Sequence, residues 1–303
     1  MTIDSNILLE SGTNELEIIE FDIYDYRYGI NVLKVREIIL PIPITPIPQS
    51  HPNILGIIQL RGEILPVVNL EKVLNVPTTG EVNDEDKKFI VAEFNQQKIV
   101  FQVHNVNKIH RISWEQIEKP ASLYTEENSH VIGVIKWEES MLLLLDFEKI
   151  AVDINPETGI NVQRVKTLGE RERSNKKIVV AEDSPLLRKL LLETLDTAGY
   201  GNVTFFENGQ ETLEYLLHIV EEKGNLFEEV QLLITDIEMP QMDGHHLTRR
   251  LKEDERTKEL PIIIFSSLIT DELRHKGEKV GAIAQVSKPE IDRLVLKIDE
   301  NIL

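Results

Sequence analysis

The stretch Leu232-Leu233-Ile234-Thr235-Asp236-Ile237-Glu238-Met239-Pro240-Gln241-Met242-Asp243-Gly244 decides the fold of the C-terminal half. Apolar or β-branched side chains lead directly into the Asp236 carboxylate, and Pro240 and Asp243-Gly244 punctuate the residues beyond it. This pattern predicts a strand buried on both faces of a parallel sheet, then a tight loop, then a helix. In open sheets of this kind ligands bind outside the carboxyl ends of the strands, so Asp236 stands where chemistry is expected.

Three further runs reach the same edge. Lys177-Ile178-Val179-Val180-Ala181 ends in Glu182-Asp183, and Ser184-Pro185 open a helix. Leu260-Pro261-Ile262-Ile263-Ile264-Phe265 ends in Ser266-Ser267, and Ala282-Ile283-Ala284-Gln285-Val286 ends in Ser287-Lys288-Pro289. Taken singly, each acid reads as a solvated helix cap. Together the acids repel one another unless a cation lies between them. Carboxylate oxygens suit Mg²⁺, which keeps some waters and leaves room for a phosphate oxygen.

These residues resemble those of a response-regulator receiver domain over residues 176–303. Glu182 and Asp183 match its acidic pair, Asp236 its phosphoacceptor, Ser266 its hydroxyl position, and Lys288-Pro289 its lysine and following proline. The resemblance implies a flavodoxin-like, doubly wound sheet of five parallel strands. It implies that Asp236 attacks a phosphohistidine and becomes a 4-aspartylphosphate. It also implies a Mg²⁺ ion held by Asp183, Asp236 and the Glu238 backbone carbonyl, with Glu182 acting through metal-bound water. Lys288 and the Ser266 hydroxyl are then expected on the remaining phosphoryl oxygens. The Lys288–Pro289 bond is a candidate for the cis form. One departure stands out: such domains usually carry Tyr or Phe three residues before the lysine, and here it is Gln285. An amide there calls for water or a polar partner. The signal is therefore expected to leave through the Ser266-Ser267 loop and a helix from about Asp271 to Val280.

The N-terminal half has a β pattern. Leu16 to Ile23 largely alternates, Arg27 to Val32 follows across a turn, and Leu33 to Ile39 suits a strand or one helical turn. Pro41-Ile42-Pro43-Ile44-Thr45-Pro46-Ile47-Pro48 excludes helix and central strand. It reads as an extended edge segment whose isoleucines pack on the barrel, in preference to a ligand of SH3 domains. In Gly56 to Leu70, apolar runs flank Arg61-Gly62-Glu63, which predicts a hairpin with Arg61 pushed into solvent. His104 and His110 stand beside strand ends without further ligands at metal spacing and read as structural or exposed. Before residue 14 the chain is polar and mixed, with a short helix expected at Ile7 to Glu10.

The hairpin strongly resembles the leucine-arginine-glycine motif of CheW-like coupling domains, and Tyr28-Gly29-Ile30, Val35, Glu37-Ile38 and Met141 to Ile150 fit the same family. That resemblance covers roughly residues 14–152. It implies two small SH3-like β-barrels around a shared core, without catalysis, docking receptors and the histidine kinase CheA, with Arg61, Gly62, Glu37 and Val35 as partner-binding residues. Residues 153–175, punctuated by Asn155-Pro156 and Thr158-Gly159 and then charged, read as a linker, partly helical from Ile160 to Leu168. A coupling domain (14–152), linker and receiver (176–303) together resemble the CheV family.

Composition agrees. The chain has 303 residues, 41% of them hydrophobic, enough for two domains. A net charge of −19 argues against nucleic acid as a partner. Absence of cysteine excludes disulfides and thiolate chemistry. The start lacks the basic and apolar regions of a signal peptide, and no apolar run is long enough to span a bilayer. We expect a cytoplasmic adaptor without direct membrane insertion, held at receptor arrays by contacts with methyl-accepting chemoreceptors and CheA, and tuned by phosphorylation. The alternatives are a sink that drains phosphoryl groups from CheA, and an autonomous Mg²⁺-dependent aspartyl phosphatase with Glu238 as acid/base. Met239-Pro240 and the receiver spacing speak against the second.

Overall fold

The described residues form two compact units, Leu16–Gly159 and Ile160–Leu303, the latter taking in Asn14 and Glu15 as well. The computed structural model describes residues 14–302 apart from 79, 81, 84, 85, 96, 119–129, 138, 139, 157, 158, 162, 170, 171 and 270. The helix expected at Ile7 to Glu10 lies outside the described residues.

The first unit contains β1 (Glu15–Ile23), β2 (Tyr26–Asn31), β3 (Val35–Ile39), β4 (Ile54–Leu60), β5 (Glu63–Asn69), α1 (Leu70–Leu74), β6 (Lys88–Phe94), β7 (Gln97–Val103), β8 (Asn105–Ser113), β9 (Ile117–Glu118), β10 (Val131–Trp137), β11 (Ser140–Leu145) and α2 (Phe147–Ile154). Two sheets result, ordered β8-β1-β2-β11-β10-β9 and β3-β6-β7-β5-β4. One apolar cluster joins them: Phe21 and Tyr28 from the first sheet meet Ile90 and Phe101 from the second, with Phe147 of α2 between. Phe101 and Phe147 meet edge-on at 4.9 Å. Full burial of each such ring contributes about 1.5–3 kcal/mol. Smaller clusters line each sheet, around Trp114 and Leu142 in one and Val67 and Phe89 in the other. This is the expected pair of barrels around a shared core.

Leu33 to Ile39 satisfies both readings of its sequence, with a single 3₁₀ turn at Val32–Lys34 followed by β3. The proline-rich segment runs along the edge of β4. Thr45 exchanges two 2.9 Å backbone hydrogen bonds with Ile57, and Ile42 and Ile44 pack on the small core beneath. An extended segment rich in proline blunts an edge that is otherwise open to pairing.

The second unit contains α3 (Gln163–Lys166), β12 (Ile178–Ala181), α4 (Pro185–Thr197), β13 (Val203–Phe206), α5 (Gly209–Lys223), α6 (Leu226–Glu229), β14 (Leu232–Thr235), α7 (Gly244–Glu253), β15 (Ile262–Ser266), α8 (Asp271–Lys279), β16 (Ala284–Ser287) and α9 (Ile291–Ile302). The sheet order is β13-β12-β14-β15-β16, with every pair parallel. Strand side chains alternate between two cores. Leu232 and Ile234 face the cluster under α4 and α9, while Leu233 faces the one under α5 and α7. Ser184, Asn208 and Asp243 accept from backbone N–H groups of the first turns of α4, α5 and α7, each cap stabilising its helix by about 1 kcal/mol. The segment expected as a linker is partly structure: α2 ends at Ile154, and Val165 of α3 is buried in the α4–α9 core.

Candidate functional site

Asp236 is held by its own loop and by β12. Its N–H donates to the Ala181 carbonyl at 2.9 Å, and its carbonyl accepts from the Thr235 hydroxyl at 2.9 Å. The Ile237 N–H donates to Asp236 Oδ1 at 2.6 Å. On the other oxygen, Lys288 Nζ donates to Oδ2 at 2.7 Å. Gly244 closes the loop, donating to the Ile237 carbonyl at 3.0 Å.

The acidic pair arrives from β12. Glu182 is buried; its Oε1 accepts from the Ser184 N–H at 3.1 Å, and its Oε2 lies 3.1 Å from Lys288 Nζ. Burial pushes the Glu182 carboxyl upward, the nearby Lys288 ammonium opposes this, and the Asp236 charge adds to it. Glu182, half-buried Asp183 and Asp236 each offer an oxygen within 4.8 Å of the others. Three hard oxygen donors packed this closely fit a small divalent cation such as Mg²⁺, and they repel one another without positive charge nearby.

Arg188, in the first turn of α4, is the residue that reading the sequence missed. Its Nη1 donates to the Glu182 and Asp183 carbonyls, each at 2.9 Å, and its Nη2 to Glu207 at 3.0 Å. The fork fixes the loop that carries both acids. The available signal was an arginine one helical turn beyond the Ser184 cap.

Lys288 directly follows β16 and is aimed by a turn. Its N–H donates to the Ser266 carbonyl at 3.1 Å, and the Glu290 N–H closes on the Ser287 carbonyl at 2.8 Å. No peptide bond among the described residues is cis, which corrects the expectation for Lys288–Pro289. Ser266 is fully buried, and its hydroxyl accepts from the Leu268 N–H at 3.3 Å. Glu238 follows in the Asp236 loop, half-buried. Gln285 finds a polar partner, as expected: its amide donates to the Arg274 carbonyl of α8 at 2.6 Å. Gly277 makes room for this, since a Cβ there would lie 2.5 Å from the Gln285 amide carbon.

In the first unit, Arg61 and Gly62 take left-handed conformations, with φ 51° and 90°, between β4 and β5. Two such residues form the turn whose twist suits a hairpin. The Arg61 side chain is 77% exposed and pairs with Glu37 at 2.9 Å. Two expected partner-binding residues therefore meet across the sheet. Val35 does not join them. It is 8% exposed and packs in the shared core, because β3 turns that side inward. His104 and His110 each pair with a carboxylate, Glu71 and Glu20 respectively. Burial alone would raise the Glu20 carboxyl, but hydrogen bonds from His110 and Asn107 outweigh it and hold the group low.

His245, near the start of α7, gives a pH prediction. Its ring is buried, donates to the Leu273 carbonyl, and leaves Nε2 without a partner among the described residues. Burial pushes its pKa down to about 4, against an opposing pull from Asp243 and with help from Lys276. Above about pH 6.5 both folded and unfolded chains carry it neutral. As pH falls toward 4, only the unfolded chain takes the proton, so stability falls by about 1–3 kcal/mol. Urea midpoints at about pH 7.5 and pH 5 should show this loss in the wild type and a smaller one in His245→Leu. Equal losses in both would place the acid sensitivity elsewhere.

The arrangement presents a buried carboxylate, a lysine already in contact with it and an acidic pair suited to a cation, a set whose chemistry suits receipt of a phosphoryl group. The CheW-like domain family matches residues 17–155, and the response regulator receiver domain family matches residues 178–299. Chemotaxis protein CheV3 of Helicobacter pylori is 30% identical over 97% of this chain and 98% of its own length. Chemotaxis protein CheV2 of the same organism is 30% identical, covering 87% of this chain and 86% of its own. Among solved structures, the scaffolding protein TtCheW of Thermoanaerobacter tengcongensis is 30% identical, covering 43% of this chain and 88% of that one, with a TM-score of 0.40. Since the likeness to CheV3 runs almost end to end and spans both domain types, the chain belongs to the CheV family of chemotaxis proteins.

Proposed function

We propose that the chain is an adaptor linking chemoreceptors to the kinase CheA, and that phosphorylation of Asp236 adjusts this coupling. The observation that carries the reading is Lys288 bonded to Asp236 beside the acidic pair, in a chain that also carries a CheW-like domain. An Asp236 oxygen forms a bond to phosphorus as the phosphorus–nitrogen bond of a phosphohistidine breaks and the imidazole leaves. Lys288 turns to the phosphoryl oxygens, a charge-assisted contact. Glu182, Asp183 and Asp236 would hold Mg²⁺, which supplies charge neutralisation for the incoming group. Arg188 keeps the acidic loop in place meanwhile. No helix among the described residues is long and apolar enough to cross a membrane, consistent with attachment through protein partners.

The test is reconstitution with a receptor and CheA, with and without acetyl phosphate. Ternary-complex affinity should change when Asp236 is labelled. Full labelling with unchanged affinity would favour the phosphoryl sink.

Docking gives a separate prediction. Arg61 and Glu37 form an exposed pair, which contributes at most about 1 kcal/mol to stability. Arg61→Ala should leave the fold intact yet weaken receptor or kinase binding by about 1–3 kcal/mol, as an interface anchor does. Unchanged affinity by titration calorimetry would move the docking surface away from this hairpin.

A further inference from the structure

A helix as short as α3 does not hold its shape alone. Its place in the second unit is set by two contacts. Val165 is 1% exposed among Leu191, Leu195, Ile291 and Leu294, with Ile160 and Leu168 packed at the margin of the same cluster. Beside it, Arg164 Nη1 donates to the Pro289 carbonyl at 3.0 Å. Pro289 directly follows Lys288, the residue that touches Asp236.

The Ser287–Glu290 turn is closed by its own backbone hydrogen bond and tied through the Lys288 N–H to Ser266. Pro289 has a fixed φ and no N–H, so the direction of its carbonyl follows the turn. Lys288 is 3% exposed, and its Nζ now serves Asp236 and Glu182 together. A phosphoryl group on Asp236 would draw that ammonium to new oxygens. A stem this tightly packed has little freedom to follow alone, so the turn moves with it.

We propose that α3 reads the phosphoacceptor site: engagement of Lys288 by the phosphoryl group rotates Lys288–Pro289, alters the Arg164–Pro289 bond, and so changes how firmly residues 160–168 hold to the receiver. This rests on the reading that Asp236 is phosphorylated. The segment continues covalently into the CheW-like unit, so its grip is a direct means of regulating that unit. It also offers an exit for the signal distinct from α8, where Gln285 replaces the usual aromatic.

Hydrogen exchange of the full chain tests this, with and without acetyl phosphate and Mg²⁺, while intact mass reports labelling. In the labelled wild type, exchange across residues 163–168 should change by about threefold or more, as expected for a shifted local opening. Arg164→Ala should label normally, exchange about fivefold faster in this segment at rest, and lose most of the response. Arg164→Lys, which keeps a donor, should recover part of it. A labelled wild type with no change in this segment, or an Arg164→Ala response equal to wild type, overturns the inference while leaving Asp236 as acceptor. A wild type that takes no label overturns the Asp236 reading and this inference with it.

Discussion

Asp236→Ala is expected to take up no phosphoryl group from acetyl phosphate or phosphorylated CheA, whereas the wild type labels readily in Mg²⁺. Asp236 accepts from Lys288 at 2.7 Å and from a backbone N–H at 2.6 Å, closer than the 3.1 Å contacts that Glu182 makes with Lys288 and the Ser184 N–H. Glu182 is a poor substitute, because burial favours its protonated, non-nucleophilic form. Asp183 is carried by the loop that Arg188 fixes from behind. The variant should fold: Lys288 keeps Glu182 at 3.1 Å, and loss of one carboxylate relieves repulsion within the cluster. Asp236→Asn, which preserves shape, controls for any loss of folding. Chelation of divalent cations should suppress wild-type labelling as the variant does, since the clustered acids otherwise repel the incoming group. Labelling of both variants at the wild-type rate, read by intact mass, would show that the acceptor is another residue.

Much of the site was legible because parallel strands write themselves plainly. Leu232 to Ile234 and Ile262 to Phe265 are apolar on both faces, since the sheet is covered on both sides. The polar residues just beyond each run, Asp236 after Thr235 and Ser266 after Phe265, then lie at the chemical edge. The Arg61-Gly62 turn was legible for a different reason, since few residue pairs accept positive φ between two apolar runs. Other features depend on contacts far apart in sequence and leave little local trace. Glu20 on β1 is buried against His110, 90 positions later. Arg164 meets Pro289 across 125 positions, so a segment that looked like linker turned out to pack as part of the receiver. Val35 belongs to the expected docking set through the CheW-like resemblance alone, and its burial on the inward side of β3 depends on packing in the shared core.

Gly244→Ala is expected to be far more damaging than a glycine-to-alanine change at a helix start normally is. Alanine favours helix over glycine by about 1 kcal/mol, so local propensity predicts stabilisation. Here a Cβ would lie 1.8 Å from the Asp236 carbonyl oxygen and 2.8 Å from its carbonyl carbon. Those are backbone atoms of a strand end tied to β12, and no rotamer change can relieve the overlap. Either α7 or the Asp236 loop must move by about 1 Å, and overpacking of this severity costs about 3 kcal/mol or more. The damage should extend to chemistry, because a misplacement of that size at a reacting group can slow transfer by about 10²-fold. Gly224→Ala supplies the contrast. Gly224 caps α5 at φ 75° with open space around it, so only backbone strain is added there, about 1 kcal/mol with labelling unchanged. Urea unfolding followed by far-ultraviolet dichroism, together with the labelling rate, separates the two. A Gly244→Ala protein as stable as wild type and labelled at the same rate would mean that the Asp236 loop is not pinned by the start of α7.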